Sequence, residues 1–321
     1  MSGVPVTQPR WSHLTGTLLA LGWLAIACLG LSLSPSSAIA GEIVILKSAD
    51  LSAYDLAIEG FRSQNIVNGA DISVHDLQGD LARGRKLARR VRASDATLVL
   101  AVGIKAALAA KLEILDIPVV YCMVLDPEKY DLSAPNLSGI SLEIPVEQQL
   151  AAMRSVLPNL KRVGVLYDPT KTGRFVQSAS AEAKRHNLEV VAREISSERE
   201  LPPTLRALLP NVDAIWLAPD TTVLNDESLP FILQESLDAN RPVFGFSSEF
   251  VKRGALLSLS IDYREIGKQA ARMSKLILDR KVNTPIRTVP DRFHLAINLK
   301  AARFLDITIP PDVHRRADER Y

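Results

Sequence analysis

The chain has 321 residues, 47% apolar and 23% charged, with 5% aromatics, 19 Pro, 16 Gly and 2 Cys. That composition gives a globular protein ample core and excludes disordered, collagen-like and disulfide-stapled chains. Lys and Arg total 38 against 36 Asp and Glu, a formal +2, and no basic run has the footprint of a nucleic-acid binder.

Residues 1–40 hold a single formal charge, Arg10, and no acid. From Leu14 to Leu33 the chain is apolar with scattered Gly, Ser and Thr. Pro35 breaks the run, and Ala38-Ile39-Ala40 places small residues before Gly41. A charged n-region, an apolar h-region and an A-x-A site predict a secretory signal cleaved after Ala40. The rival reading is an uncleaved anchor, since a run of about 20 apolar residues can span a bilayer. Cys28 follows Ala25-Ile26-Ala27, but the leucine of an acylation site stands one place too early, so lipidation is not expected. Cleavage leaves Cys122 as the remaining cysteine, which excludes an internal disulfide. The rest of the chain has no second run of 18 apolar residues, so a soluble periplasmic body is expected.

Buried-strand runs then alternate with amphipathic helical stretches, the pattern of parallel sheets covered on both faces. Strands are predicted at Ile43–Leu46, Ile72–Val74, Thr97–Val102 and Ile117–Val124, with helices over Tyr54–Gln64 and Leu81–Val91. The order recurs with strands at Val163–Tyr167, Leu188–Val191, Ala214–Leu217 and Pro242–Phe246, and with helices over Phe175–His186 and Leu201–Leu209. Ile43 and Val163, Thr97 and Ala214, and Pro118 and Pro242 are displaced by a nearly constant offset, which marks a structural duplication. Leu256–Ile261 reads as a further strand. Asp262-x-x-Glu265 is a capping box opening a helix to about Asp279. A last strand, Phe293–Ile297, and a helix from Leu299 complete the chain, and the alternating charges of residues 315–321 read as a solvated face.

The fold class is therefore α/β: two similar doubly wound parallel-sheet lobes joined by a multi-crossing hinge. The expected boundaries are an N-terminal lobe over 41–142, to which 252–285 return, and a C-terminal lobe over 143–251 with 286–321. Ligands of open α/β sheets sit beyond the carboxyl ends of the strands. Two facing lobes thus define one cleft, and several crossings imply a hinge that closes on ligand.

Several segments resemble one family. They are Asp126-Pro127, the run Asn136-Leu137-Ser138-Gly139-Ile140-Ser141, the run Pro145-Val146-Glu147-Gln148-Gln149-Leu150, Leu157-Pro158-Asn159, and Val163-Gly164-Val165-Leu166-Tyr167. Pro219-Asp220-Thr221-Thr222-Val223, Gly254-Ala255-Leu256, Asp262-Tyr263, Ile266-Gly267, Gln269-Ala270-Ala271 and Asn298-Leu299-Lys300 extend the match over residues 43–312. Together they are similar to the ABC-transporter substrate-binding family whose better-known members bind aromatic amino acids. The resemblance implies a periplasmic-binding-protein fold of type I and delivery of a small solute to a membrane permease. Two cleft loops depart from it: Gly103-Ile104-Lys105 replaces a Gly-Thr-Pro-like turn, and Asp168–Gly173 is poorer in Asn and Ser.

Candidate ligand residues come from the strand-end loops: Ser48, Asp50, Ser52, Tyr54, Lys105 and Asp126 in the first lobe, Thr170, Thr172, Asp220, Thr221, Ser247 and Ser248 in the second. Hydroxyls and helix N-termini can receive a carboxylate, and Asp126 or Asp220 can hold an ammonium by a charge-assisted hydrogen bond. An amino acid or related compound fits that mix, with Tyr54, Phe246 and Tyr263 flanking an apolar portion. Each residue also has a plainer role. Ser52 can cap a helix beginning at Ala53, Asp126-Pro127 and Asp168-Pro169 form turns by themselves, and Lys105 can be a solvated side chain.

Catalytic imitations fail. Lys171-Thr172-Gly173 has no Ser-x-x-Lys partner, and Gly245-Phe246-Ser247-Ser248-Glu249 lacks the closing Gly of a nucleophile elbow. Cys122 lies mid-strand among apolar residues, as an inert thiol does. His75, His186, His294 and His314 lack metal-ligand spacing, and no phosphate-binding glycine fingerprint occurs. The expectation is a monomeric solute-binding protein with no cofactor, no metal and no nucleic-acid partner, serving an ABC importer. A sensor of the same fold reporting to a membrane receptor is the alternative, and an exported α/β enzyme a third. A sugar-responsive transcription factor is excluded, because an export signal stands where its DNA-binding helices would be.

Overall fold

Buried strands paired in parallel, with helices on either side, make up both halves of the body. The computed structural model describes residues 1–3, 41–65 and 71–321. The expected signal segment, its Ala40 cleavage point and Cys28 lie outside the described residues. From Glu42 to Tyr321 the chain is one unit carrying two sheets.

Among the described residues the first sheet has the strand order β11-β5-β4-β3-β1-β2, all parallel. Its strands are β1 (Glu42–Lys47), β2 (Ile72–Asp76), β3 (Ala96–Val102), β4 (Val119–Val124), β5 (Leu137–Ser141) and the late β11 (Arg287–Thr288). β1 shows why these runs are almost wholly apolar. Ile43 and Ile45 pack under α1 (Ser52–Arg62) and the returning helix α9 (Tyr263–Leu278), while Val44 and Leu46 pack under α2 (Leu81–Arg92) and α3 (Ile104–Glu113). A strand buried on both faces has no polar side to show.

The second sheet runs β13-β12-β10-β9-β8-β6-β7. It comprises β6 (Arg162–Tyr167), β7 (Glu189–Glu194), β8 (Ala214–Trp216), β9 (Val243–Gly245), β10 (Leu257–Ser260), β12 (His294–Ile297) and β13 (Glu319–Arg320). β12 is antiparallel to β10, and β13 runs parallel to β12. One face is covered by α4 (Val146–Val156), α5 (Pro169–Arg185), α10 (Leu299–Phe304) and α11 (Pro311–Arg316). The other is covered by α6 (Leu201–Leu208), α7 (Ser228–Asp238) and α8 (Ser248–Lys252).

Among the described residues three connections cross between the sheets: β5 to α4, β10 to α9, and β11 to β12. The return to the first lobe is narrower than 252–285 at its start and longer at its end. Leu257–Ser260 pairs with β9 and β12 inside the second sheet, so the chain leaves that lobe only at Ile261. Arg287–Thr288 pairs with Gly139 and Ile140 of β5, so it re-enters the second lobe only after Thr288. The C-terminal segment is likewise integrated. Val313 and Ala317 are buried and β13 supplies the edge of the sheet, while Arg315, Arg316, Asp318 and Arg320 are exposed, so the alternating charges of 315–321 are the solvated face of an ordered segment.

Candidate ligand-binding site

In the first lobe the carboxyl ends of β1 and β3 meet the N-terminus of α3. Ser48 is buried at the end of β1, and its Oγ accepts from the Ala106 amide at 2.9 Å, so it serves the helix start. Gly103 caps α3 at φ +86°, a conformation that L side chains rarely adopt. A Cβ there would lie 2.6 Å from the Tyr54 Oη and 2.7 Å from the Ser48 Oγ. The glycine thus brings the Tyr54 phenol, the Ser48 hydroxyl and the helix N-terminus that Ser48 caps from β1 to one point. Burial raises the Tyr54 phenol above its ordinary pKa, so it stays a neutral donor.

Asp50 and Ser52 have roles other than those expected. Asp50 is exposed and bonds Lys47 Nζ at 2.9 Å, and Asp55 takes a second bond from the same ammonium at 3.0 Å. The hydrogen bond to Asp50 is the chief cause of Lys47's raised pKa, against the cost of its burial. Ser52 is the first residue of α1, and the N-cap is Leu51 with no side-chain cap bond, so Ser52 does not cap the helix. Lys105 is exposed and donates to the Gly79 carbonyl. Asp126 lies at φ +44° and caps the short turn Pro127–Tyr130. Its amide donates to Glu143 at 2.9 Å, and its Oδ2 lies 3.4 Å from Arg174 of α5, linking the two lobes.

In the second lobe the helix expected from Phe175 begins at Pro169. Asp168 is its N-cap, accepting from the Thr170 amide at 2.9 Å, and Pro169 occupies the first turn, where its missing N–H costs nothing. Thr170 and Thr172 therefore belong to a helix rather than a loop. Asp220, almost wholly buried beyond β8, accepts from the Asp168 amide at 2.8 Å, the Thr172 hydroxyl at 2.5 Å and the Thr222 amide at 2.9 Å. Thr222 returns a bond to the Asp168 carboxylate at 2.8 Å. Donation from the Thr170 hydroxyl, then from that of Thr222, holds the Asp168 carboxyl below its ordinary pKa. Both carboxylates thus accept from within the protein, and Asp220 locks its own loop to the start of α5. Thr221 is exposed and accepts from Lys171 at 2.8 Å.

The β9–α8 residues stand apart from that lock. Ser247 caps α8, accepting from the Glu249 amide at 3.3 Å, while Ser248 lies near Glu319 and Tyr321 of the C-terminal segment, where the Tyr321 hydroxyl donates to the Glu319 carboxylate. Phe246 packs edge-on against Phe250 with ring centroids 5.0 Å apart. Half-buried Tyr263 is the first residue of α9. Residue patterns did not single out Lys47, Glu143 or Arg174. Thr222 stood within a quoted motif, but its pairing with Asp168 had no local signal. Among the described residues no cluster of His, Cys, Asp or Glu is placed to hold a metal ion.

The model of the family described as ABC transporter substrate binding protein matches residues 42–321, the whole two-lobed body. The chain belongs to this family. The tyrosine-binding protein of Clostridioides difficile (strain R20291) is 24% identical to this family member over 282 residues, covering 83% of this chain and 81% of that protein. An ABC domain from Streptococcus pneumonia solved in complex with L-Trp is 24% identical, with a TM-score of 0.56 over 88% of this chain and 99% of that one. A ligand-free, open substrate-binding protein with adhesive properties from Clostridium difficile is 22% identical over the same shares, with a TM-score of 0.73. The fold is thus that of a two-lobed substrate-binding protein.

Proposed function

We propose that this family member is an exported solute-binding protein that captures an amino acid or related compound between its lobes and delivers it to an ABC import permease from the periplasm. The observation carrying this reading is the meeting of Gly103, Ser48, Tyr54 and the α3 N-terminus on one lobe, with the Asp168–Asp220 lock and exposed Thr170 and Thr221 on the other. A helix N-terminus with hydroxyls suits a carboxylate. Two buried carboxylates suit a nearby ammonium through their field, without direct contact. A zwitterion satisfies both ends, and the relatives named for tyrosine and complexed with L-Trp support the amino-acid class.

The test is a thermal-shift and calorimetric screen of residues 41–321, refolded to strip bound solute, against amino acids, sugars, nucleosides and organic anions. An upshift with amino acids is expected, about 2.7 kcal/mol of stabilisation at a hundredfold excess over Kd. A shift with sugars or nucleosides instead overturns the amino-acid assignment.

A further inference from the structure

The helix α2 carries a charge pattern that the cleft does not use. Its twelve residues, LARGRKLARRVR, include six cations and no acid. Gly84, Ala88 and Val91 turn inward, and Arg83, Arg85, Lys86, Arg89, Arg90 and Arg92 are all exposed on the outward half. Asp80 is spent on the N-cap, and Glu113 of α3 pairs with Arg85 and Arg89 at 2.6 and 3.0 Å. Among the described residues no ion pair forms at Lys86, Arg90 or Arg92. The body as a whole is close to neutral, so this face is a local excess rather than a reflection of net charge.

Beside it stand two exposed leucines. Leu112 is 53% and Leu115 60% accessible, flanking the same Glu113 that Arg85 and Arg89 hold. α2 leads into β3 and the Leu115 loop into the adjacent β4, so the helix's last turn and the leucines lie at the amino-terminal edge of the sheet, away from the cleft. β1 begins at that edge too, with Glu42 paired to Ala96.

We propose that α2, with Leu112 and Leu115, is a docking face for an anionic lipid bilayer. Clusters of four to eight Lys and Arg are drawn to anionic headgroups, and exposed leucines beside them give a shallow apolar hold. A protein partner fits less well, because the core of a protein interface is depleted of charge and six of the seven exposed residues of α2 are cations. This inference does not rest on what the cleft binds.

Residues 42–321 contain both cores and every described element, so the body without its leader tests it. Its binding is measured by co-sedimentation with phosphatidylcholine vesicles made with and without phosphatidylglycerol. Three proteins are compared: the wild type, Lys86→Glu/Arg90→Glu, and the control Lys184→Glu/Lys252→Glu, which makes the same charge change on exposed positions of the second lobe. The expected result is binding to the anionic vesicles alone, weakening above about 0.1 M salt. It falls about tenfold or more in the α2 variant and little in the control, while circular dichroism and the thermal midpoint stay unchanged. Equal binding to neutral vesicles, or an equal loss in both variants, overturns the proposal. So does a wild type that ignores vesicles while the α2 variant slows solute uptake in cells, since the face then serves the permease.

Discussion

Gly60 and Gly267 interlock where α1 crosses the returning helix α9. A Cβ on Gly267 would stand 1.8 Å from the Ala57 carbonyl oxygen, and one on Gly60 would stand 2.1 Å from that of Arg264. Each glycine thus lies against the backbone of the other helix, and no flexible side chain can yield. Gly267→Leu is expected to force the helices apart and cost at least about 2 kcal/mol. Urea unfolding monitored by circular dichroism measures the loss. A variant as stable as wild type would show that α9 reseats without penalty.

Asp220 joins three donors, two from the start of α5 and its cap and one from its own loop, so its removal leaves the Asp168 amide, the Thr172 hydroxyl and the Thr222 amide without an acceptor in a buried place. Asp220→Ala is expected to destabilise by about 3 kcal/mol, and Thr172→Val, which deletes one bond, by about 1 kcal/mol. Asp220→Asn falls between them, since a carboxamide can still accept through one oxygen. Equilibrium denaturation of the three variants checks the order, and equal values for all three would contradict the lock.

Asp168 sets a pH dependence. Its carboxyl is held below the ordinary value in the folded chain, so the folded state binds its proton less readily than the unfolded state does. Its contribution is then fully present above the unfolded value of about 4 and is lost as pH falls through the depressed folded value. The stability gap between wild type and Asp168→Asn is therefore expected to be constant from neutral pH down to about 5 and to shrink below about 4. Denaturation curves across that range measure it, and a gap that widens with acid would reverse the sign.

Cys122 is buried within β4, and burial pushes its thiol up to about 12. In residues 41–321 it is expected to resist a thiol reagent such as dithionitrobenzoate at pH 8 and to react on unfolding. Reaction of the native body at the rate of a free thiol would show that β4 opens locally.

Most of the architecture was legible because its strands are buried on both faces and read as unbroken apolar runs. What escaped notice was set by distant partners or by a uniform composition. α3 (IKAALAAKLE) is apolar nearly all round, so it offers no stripe by which periodicity marks a helix. α5 begins six residues before Phe175 because Asp168 caps it and because the acceptor for Thr172 lies on a loop beyond β8. Asp220 was legible as a cleft-end acid, but its saturation depends on atoms from Asp168 and Thr172, which no local pattern places beside it. The two-residue strands β11 and β13 owe their existence to β5 and β12, and such short segments have no period of their own.

Neither lobe is continuous in the chain. The first lacks α9 and β11 until synthesis has passed Thr288, and the second lacks β12, α10, α11 and β13 until the final residues emerge. A chain still being made therefore holds two unfinished sheets, each with an apolar face uncovered and neither able to settle. The order of the segments thus discourages compaction of a partly made body: the first lobe gains its last strand only at Thr288, and β13 closes the edge of the second.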